Sequence, residues 1–134
     1  MKLFNFSRNN APQEDSKKLS DGLSWQTLRS ELEVTQALSA SDESVVLLFK
    51  HSTRCIISKM VLRDLEANAH RLTALGTWFF IDLFAFRGVS DHVAQILSVR
   101  HESPQLIILR NEKVIWAGSH QSINADQIRD VLSA

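Results

Sequence analysis

The sequence predicts an α/β protein, one domain with a mixed, mostly parallel central sheet and helices on both faces. Three observations predict it. Two continuous apolar runs, at 45–49 and 78–81, have the composition of strands covered on both sides. Each is followed by a stretch whose apolar residues return every three or four positions, which gives two β-α units in series. Two further runs, at 105–109 and 114–117, flank Arg110-Asn111-Glu112-Lys113 and read as an antiparallel hairpin.

Taken in order, residues 7–23 are rich in Arg, Asn, Asp, Ser and Lys and bury too little surface to offset their ordering entropy. The expectation is a flexible or loosely attached lead-in over 1–22 and a domain over 23–134. Ser30-Glu31-Leu32-Glu33 matches a capping box, with Ser30 accepting from a first-turn amide and Glu33 returning a bond to Ser30. A helix to Ala40 follows, then the first strand. After Cys55, the positions Ile57, Met60, Val61, Leu65, Ala69 and Leu72 mark one helix that Gly76 can close. Beyond the second strand, Ser90-Asp91 precede a short helix carrying Val93, Ile96 and Leu97. Behind the hairpin, Asn124 caps a terminal helix with Gln127 three residues on, and Ile123 and Ile128 stand where a hydrophobic staple needs them.

Composition bounds the function. At 134 residues the chain fits one domain, and an apolar fraction of 44% can fill its core. Fifteen basic and fifteen acidic side chains leave no net field to attract nucleic acid or anionic lipid. No apolar run approaches the ~20 residues of a membrane helix, and the opening six residues do not resemble a signal sequence. A single cysteine forms no internal disulfide, so the expectation is the reducing cytoplasm.

That cysteine is the leading candidate for chemistry. In open α/β sheets reactive groups sit beyond the carboxyl ends of the strands, and Cys55 lies a few residues past the first apolar run. A lone cysteine is more often a small buried hydrophobe. Here the neighbours argue otherwise. His51-Ser52-Thr53-Arg54 is polar and basic and leads into a helix, whose first-turn amides favour a thiolate over a thiol. Arg54, Lys59 and His51 would add positive charge. Ser58 stands three residues on, where a two-cysteine redox motif carries its second sulfur. A hydroxyl can hydrogen-bond the thiolate but cannot resolve a disulfide, so the cycle needs a thiol from outside. The alternative for Ser58 is an ordinary first-turn residue. Ser103-Pro104 by itself is an ordinary strand start.

The order helix, strand, helix, strand, helix, hairpin and helix is the thioredoxin order. His51-Ser52-Thr53-Arg54-Cys55-Ile56-Ile57-Ser58 and Arg100-His101-Glu102-Ser103-Pro104-Gln105 resemble the two signatures of YtxJ-like bacillithiol-system proteins, the monothiol bacilliredoxins. The likeness runs from about Trp25 to the C-terminus and includes Val114-Ile115-Trp116 and Ser119-His120. It implies a thioredoxin fold and removal of bacillithiol from S-bacillithiolated client proteins under oxidative stress. By that resemblance Cys55 attacks, assisted by Ser58 and Arg54, and Pro104 is a cis proline facing it, with Ser103 offering backbone groups. Bacillithiol, the co-substrate, carries a malate carboxylate and a sugar. Thr53, His51, His101, Ser103 and Pro104 would bind it, with Arg54 and Arg100 as cationic donors. The resemblance implies no tightly bound cofactor and no metal, and a flavin disulfide reductase as a candidate for recycling. Family members usually carry proline after the cysteine, where this chain has Ile56.

Three rival readings remain. Cys55 with His51, or with His120 as base, would make a cysteine hydrolase, although no orienting partner or oxyanion signature is visible. Metal binding by Cys55 with His51 and His101 or His120 matches no compact ligand spacing. A thioredoxin-like adaptor would keep the fold without turnover. His70 and His92 read as surface residues, and Trp78 and Trp116 as core.

Overall fold

The computed structural model describes residues 22–133, so the lead-in expected over 1–22 lies, apart from Gly22, outside the described residues. Five strands form one sheet: β1 (Gln26–Thr27), β2 (Val46–His51), β3 (Thr77–Asp82), β4 (Gln105–Arg110) and β5 (Lys113–Ser119), in the order β1-β3-β2-β4-β5. β1, β3 and β2 are parallel, and β4 and β5 add an antiparallel edge. The helices are α1 (Glu31–Ala40), α2 (Ile56–Ala67), α3 (Ala69–Leu72), α4 (Arg87–Leu97) and α5 (Ala125–Ser133).

Strand alternation divides the core between the two faces. Leu47, Phe49, Leu106 and Ile108 pack with Val61, Leu65, Leu72 and Ile128 of α2, α3 and α5. Val46, Leu48, Ile107 and Leu109 pack with Val34, Ala37 and Val93 of α1 and α4. β2 is buried along its whole length because α-helices cover both of its faces, and it carries the chain outward to Cys55.

The caps and breaks show which local signals held. Ser30 Oγ accepts from the Glu33 amide at 3.1 Å, but the Glu33 carboxylate returns its bond to Arg29 N, at 2.7 Å, one residue ahead of the expected Ser30. Asn124 Oδ1 accepts from Gln127 N at 2.9 Å as expected, and Ile123 and Ile128 are both buried beside it. The long helix after Cys55 breaks at Asn68, whose side chain donates to Asp64 O at 2.8 Å and turns the chain into α3. Gly76 closes the helical stretch as expected, as the C-cap of the 3-10 turn Thr73–Leu75, and it also permits a close approach, since a Cβ there would stand 2.3 Å from Val45 O. α4 starts at Arg87, three residues before the expected Ser90. Asp82 Oδ1 accepts from Phe84 N and Ala85 N, at 2.9 and 3.3 Å, and that turn feeds the chain straight into the helix.

The hairpin closes on Asn111 and Glu112, both left-handed with φ of 53° and 62°. Ser41 clamps that turn, its carbonyl accepting from Asn111 N and its hydroxyl from Glu112 N, each at 2.7 Å. β1 has no counterpart in the sequence reading. Its two residues pair by backbone with Phe79 and Phe80 and have no alternation to read.

Candidate active site

Cys55 is the N-cap residue of α2, half-buried, with extended backbone at φ −107° and ψ 122°. The turn before it is held by Cys55 N donating to Ser52 O at 3.2 Å. Lys59 N donates to Cys55 O at 3.0 Å, so helical bonding begins at the cysteine itself. Its sulfur therefore stands at the end of the helix where amides lack intrahelical acceptors.

The sheet brings the rest of the site to the same edge. Gln105 pairs with Lys50, so the next residues outward on the two strands are Pro104 and His51. The Ser103–Pro104 bond is cis, and Pro104 O accepts from His120 N at 3.3 Å. On the other side, Leu83 N donates to His51 O at 2.9 Å and draws the β3–α4 connection alongside.

His51 differs from its expected cationic role. Its ring is buried, stacked on Phe49 at 5.9 Å and tilted against Phe80 at 5.5 Å. Burial holds its pKa below the ordinary 6.5, outweighing the opposing pull of Asp82, so the imidazole is neutral at pH 7. Ser58 is fully buried, and its hydroxyl lies 2.7 Å from His51 Nδ1 and accepts from Ser52 N at 3.0 Å. Its proton is thus available to Nδ1 of a ring protonated at Nε2. Ser58 fastens helix to strand through these bonds rather than through the Cys55 sulfur.

Arg54 and Thr53 are exposed in the turn, and the Arg54 guanidinium sits 4.0 Å above the Phe84 ring. Ile56, Met60 and Phe84 are 71%, 59% and 61% exposed. Arg100 is exposed. His101 is half-buried and turned inward: its Nδ1 lies 3.3 Å from Lys50 Nζ and 3.4 Å from Ser90 Oγ. His70 is exposed, and His92 lies 3.7 Å from Glu31 across α1 and α4. Trp78 is core, whereas Trp116 is only partly buried and lies over Gly118.

Lys50 escaped the sequence reading. It ends an apolar run and faces the α1/α4 side with no exposed surface. The signal was present as a charged residue directly after an apolar run, inside a strand buried on both faces.

The family model for the monothiol bacilliredoxin BrxC matches residues 26–128. The chain belongs to the monothiol bacilliredoxin family. The matched span takes in both Cys55 and Pro104. Among solved structures, a thioredoxin-fold protein provisionally described as an oxidoreductase shares 24% identity at a TM-score of 0.69, covering 80% of this chain and 92% of the other. Thioredoxin from Fasciola hepatica shares 13% identity at a TM-score of 0.61, covering 80% and 95%. A mutant thioredoxin from Halobacterium salinarum shares 15% at 0.61, covering 81% and 88%. These likenesses establish the thioredoxin fold. A bacilliredoxin with one cysteine is a thiol-disulfide redox protein that cannot close an internal disulfide. No helix among the described residues is long and apolar enough to cross a membrane.

Proposed function

We propose that this protein removes bacillithiol from S-bacillithiolated client proteins through a mixed disulfide on Cys55. The Cys55 thiolate attacks the bacillithiol sulfur of the client's mixed disulfide. The old S–S bond breaks, the client leaves as a thiolate that takes a proton from water, and a Cys55–bacillithiol disulfide forms. A second bacillithiol thiolate then attacks the bacillithiol sulfur, freeing Cys55 and producing the symmetric disulfide, which a flavin disulfide reductase would return to thiol. No net oxidation of the protein occurs over the cycle.

The observation that carries this reading is the placement of a solitary cysteine at the head of α2, with a serine at the resolving offset and Pro104 one residue ahead of β4. The exposed Ile56, Met60 and Phe84 suit a folded client, and Arg54, Arg100 and Thr53 remain open to the malate carboxylate and sugar. His51 does not suit a hydrolase base, because its Nδ1 is committed to Ser58 and its ring is buried. The chemistry requires a reducing compartment, so the reading includes a cytoplasmic location.

The test is mass spectrometry after exposure to oxidised bacillithiol, paired with release of bacillithiol from a capped client by wild type and Cys55→Ser. The expected result is one bacillithiol captured on Cys55 and client release by wild type alone. Client binding without release would identify an adaptor, and ester cleavage a hydrolase. Either result overturns the reading.

A further inference from the structure

Lys50 is an unusual residue to bury. It has no exposed surface, and among the described residues it has no carboxylate partner within ion-pair distance. Its Nζ donates to the backbone carbonyl of Ser90 in α4 at 3.2 Å and lies 3.3 Å from His101 Nδ1. Burial pushes its pKa down from 10.5 to about 8, with Asp91 opposing and Arg87 reinforcing the fall, so it is still an ammonium at neutral pH. An apolar side chain would avoid that desolvation cost, and the neighbouring positions Leu48 and Val46 on the same face have one.

The neighbour across the sheet explains what the ammonium holds. Gln105 is the direct cross-strand partner of Lys50, is itself buried, and donates from Nε2 to Arg100 O at 2.9 Å. Lys50 and Gln105 thus reach together into one segment, residues 100–103, which ends at the cis Ser103–Pro104 bond beside the Cys55 edge. Lys50 is 51 residues from His101 in sequence, and its bond fixes the side chain of a residue two before Ser103.

We propose that Lys50 is a positioning residue, holding the 100–103 segment through His101 so that Ser103 and Pro104 present a fixed cradle to the small-thiol half of the mixed disulfide at Cys55. This rests on the function proposed above. For Nδ1 to accept from an ammonium, His101 must be neutral with its proton on Nε2. Arg87 and Asp91 of α4 and Glu102 of the segment also face the imidazole. Burial lowers the His101 pKa most, with Lys50 next, so removing the Lys50 charge releases part of that shift.

The experiment compares wild type, Lys50→Met, His101→Gln and the double variant in three measurements. Nitrogen-15 NMR reads the tautomer and titration of His101. Steady-state kinetics uses a short peptide capped with bacillithiol. Iodoacetamide alkylation reads the reactivity of Cys55. The expected result for Lys50→Met is a His101 titration moved to higher pH with loss of the single tautomer, and KM raised about 10-fold as expected for one lost hydrogen bond. The kcat and alkylation rate stay within about twofold, because the ammonium acts on the cradle and not on the sulfur. His101→Gln should reproduce the KM effect, and the double variant should be no worse than either single variant.

Multiplying effects in the double variant, an unchanged His101 titration, or an unchanged KM would each overturn the proposal. So would a fall in alkylation rate equal to the fall in kcat/KM. Should Lys50→Met not fold, the His101→Gln split between KM and kcat decides the matter alone. If wild type leaves the capped peptide intact, the proposed function fails, and the cradle role fails with it; the His101 titration then shows separately whether Lys50 and His101 are coupled.

Discussion

His51 Nδ1 and Ser58 Oγ lie 2.7 Å apart, which ties the last residue of β2 to the first turn of the helix that begins at Cys55. Ser58 Oγ also takes the Ser52 amide, so one buried hydroxyl fixes both ends of the loop bearing the cysteine. Replacing it by alanine leaves the buried His51 Nδ1 and the part-buried Ser52 amide without this partner. Ser58→Ala should lose about 1–3 kcal/mol in urea unfolding at an unchanged m-value. An unaltered midpoint would show that the hydroxyl does not hold the loop.

The same position tests the one-cysteine cycle. Residues 55 and 58 are the N-cap and third residue of one helix turn, a separation that a disulfide can bridge. Ser58→Cys is expected to release bacillithiol from Cys55 without added thiol and to close an internal disulfide. Counting free thiols before and after exposure to oxidised bacillithiol gives the answer: two become none, against one becoming none in wild type.

Ile56 occupies the first helical position, where proline's fixed φ suits the helix. Cys55 already has the extended backbone that a following proline demands. Ile56→Pro should therefore fold normally and gain about 0.4–1 kcal/mol by restricting the unfolded chain. Thermal unfolding reads the gain, and destabilisation would show that the isoleucine packs more than its exposure indicates.

The pH dependence of stability has two limbs. His51 and His101 are held below 6.5 when folded, chiefly by burial, so the unfolded chain binds protons first as pH falls. Their contribution is complete above pH 6.5 and is lost as acidification proceeds through the lower folded values. Lys50 titrates at about 8 folded and 10.5 unfolded, so the folded chain releases its proton first and stability rises over that interval. Urea midpoints across pH should show both slopes, and Lys50→Met should abolish the alkaline one while reducing the acid one only by the part of the His101 shift that Lys50 causes.

Glu112 carries a backbone cost at the hairpin. It sits at φ 62° in the second turn position, where glycine is free of the Cβ clash. Its amide bond to Ser41 Oγ does not involve the side chain, so glycine can keep it. Glu112→Gly should move the denaturant midpoint upward, and a lower midpoint would show that the turn is not strained at this residue.

What could be read along the chain was local. The runs at 45–49, 78–81 and 105–109 predicted their strands because apolar side chains in continuous sequence must be covered on both faces. Ser30 and Asn124 predicted caps because a short side chain bonds amides three residues away. Cys55 could be placed at a helix start from the period that follows it. The start of α4 was misplaced because Asp82 and Ser90 are both good turn-makers, and it is Asp82 that takes two amides of the connecting turn.

Fold class, family signatures and the position of the one thiol are all legible along the chain, because each rests on neighbours within a few residues. The burial and neutrality of His51, the bond from Ser58 to the strand and the reach of Lys50 to His101 come instead from packing in three dimensions. Those outcomes depend on which distant groups share a desolvated space, as Lys50 and His101 do across 51 residues. Protonation and hydrogen-bond partner follow from that shared burial, which no local pattern encodes.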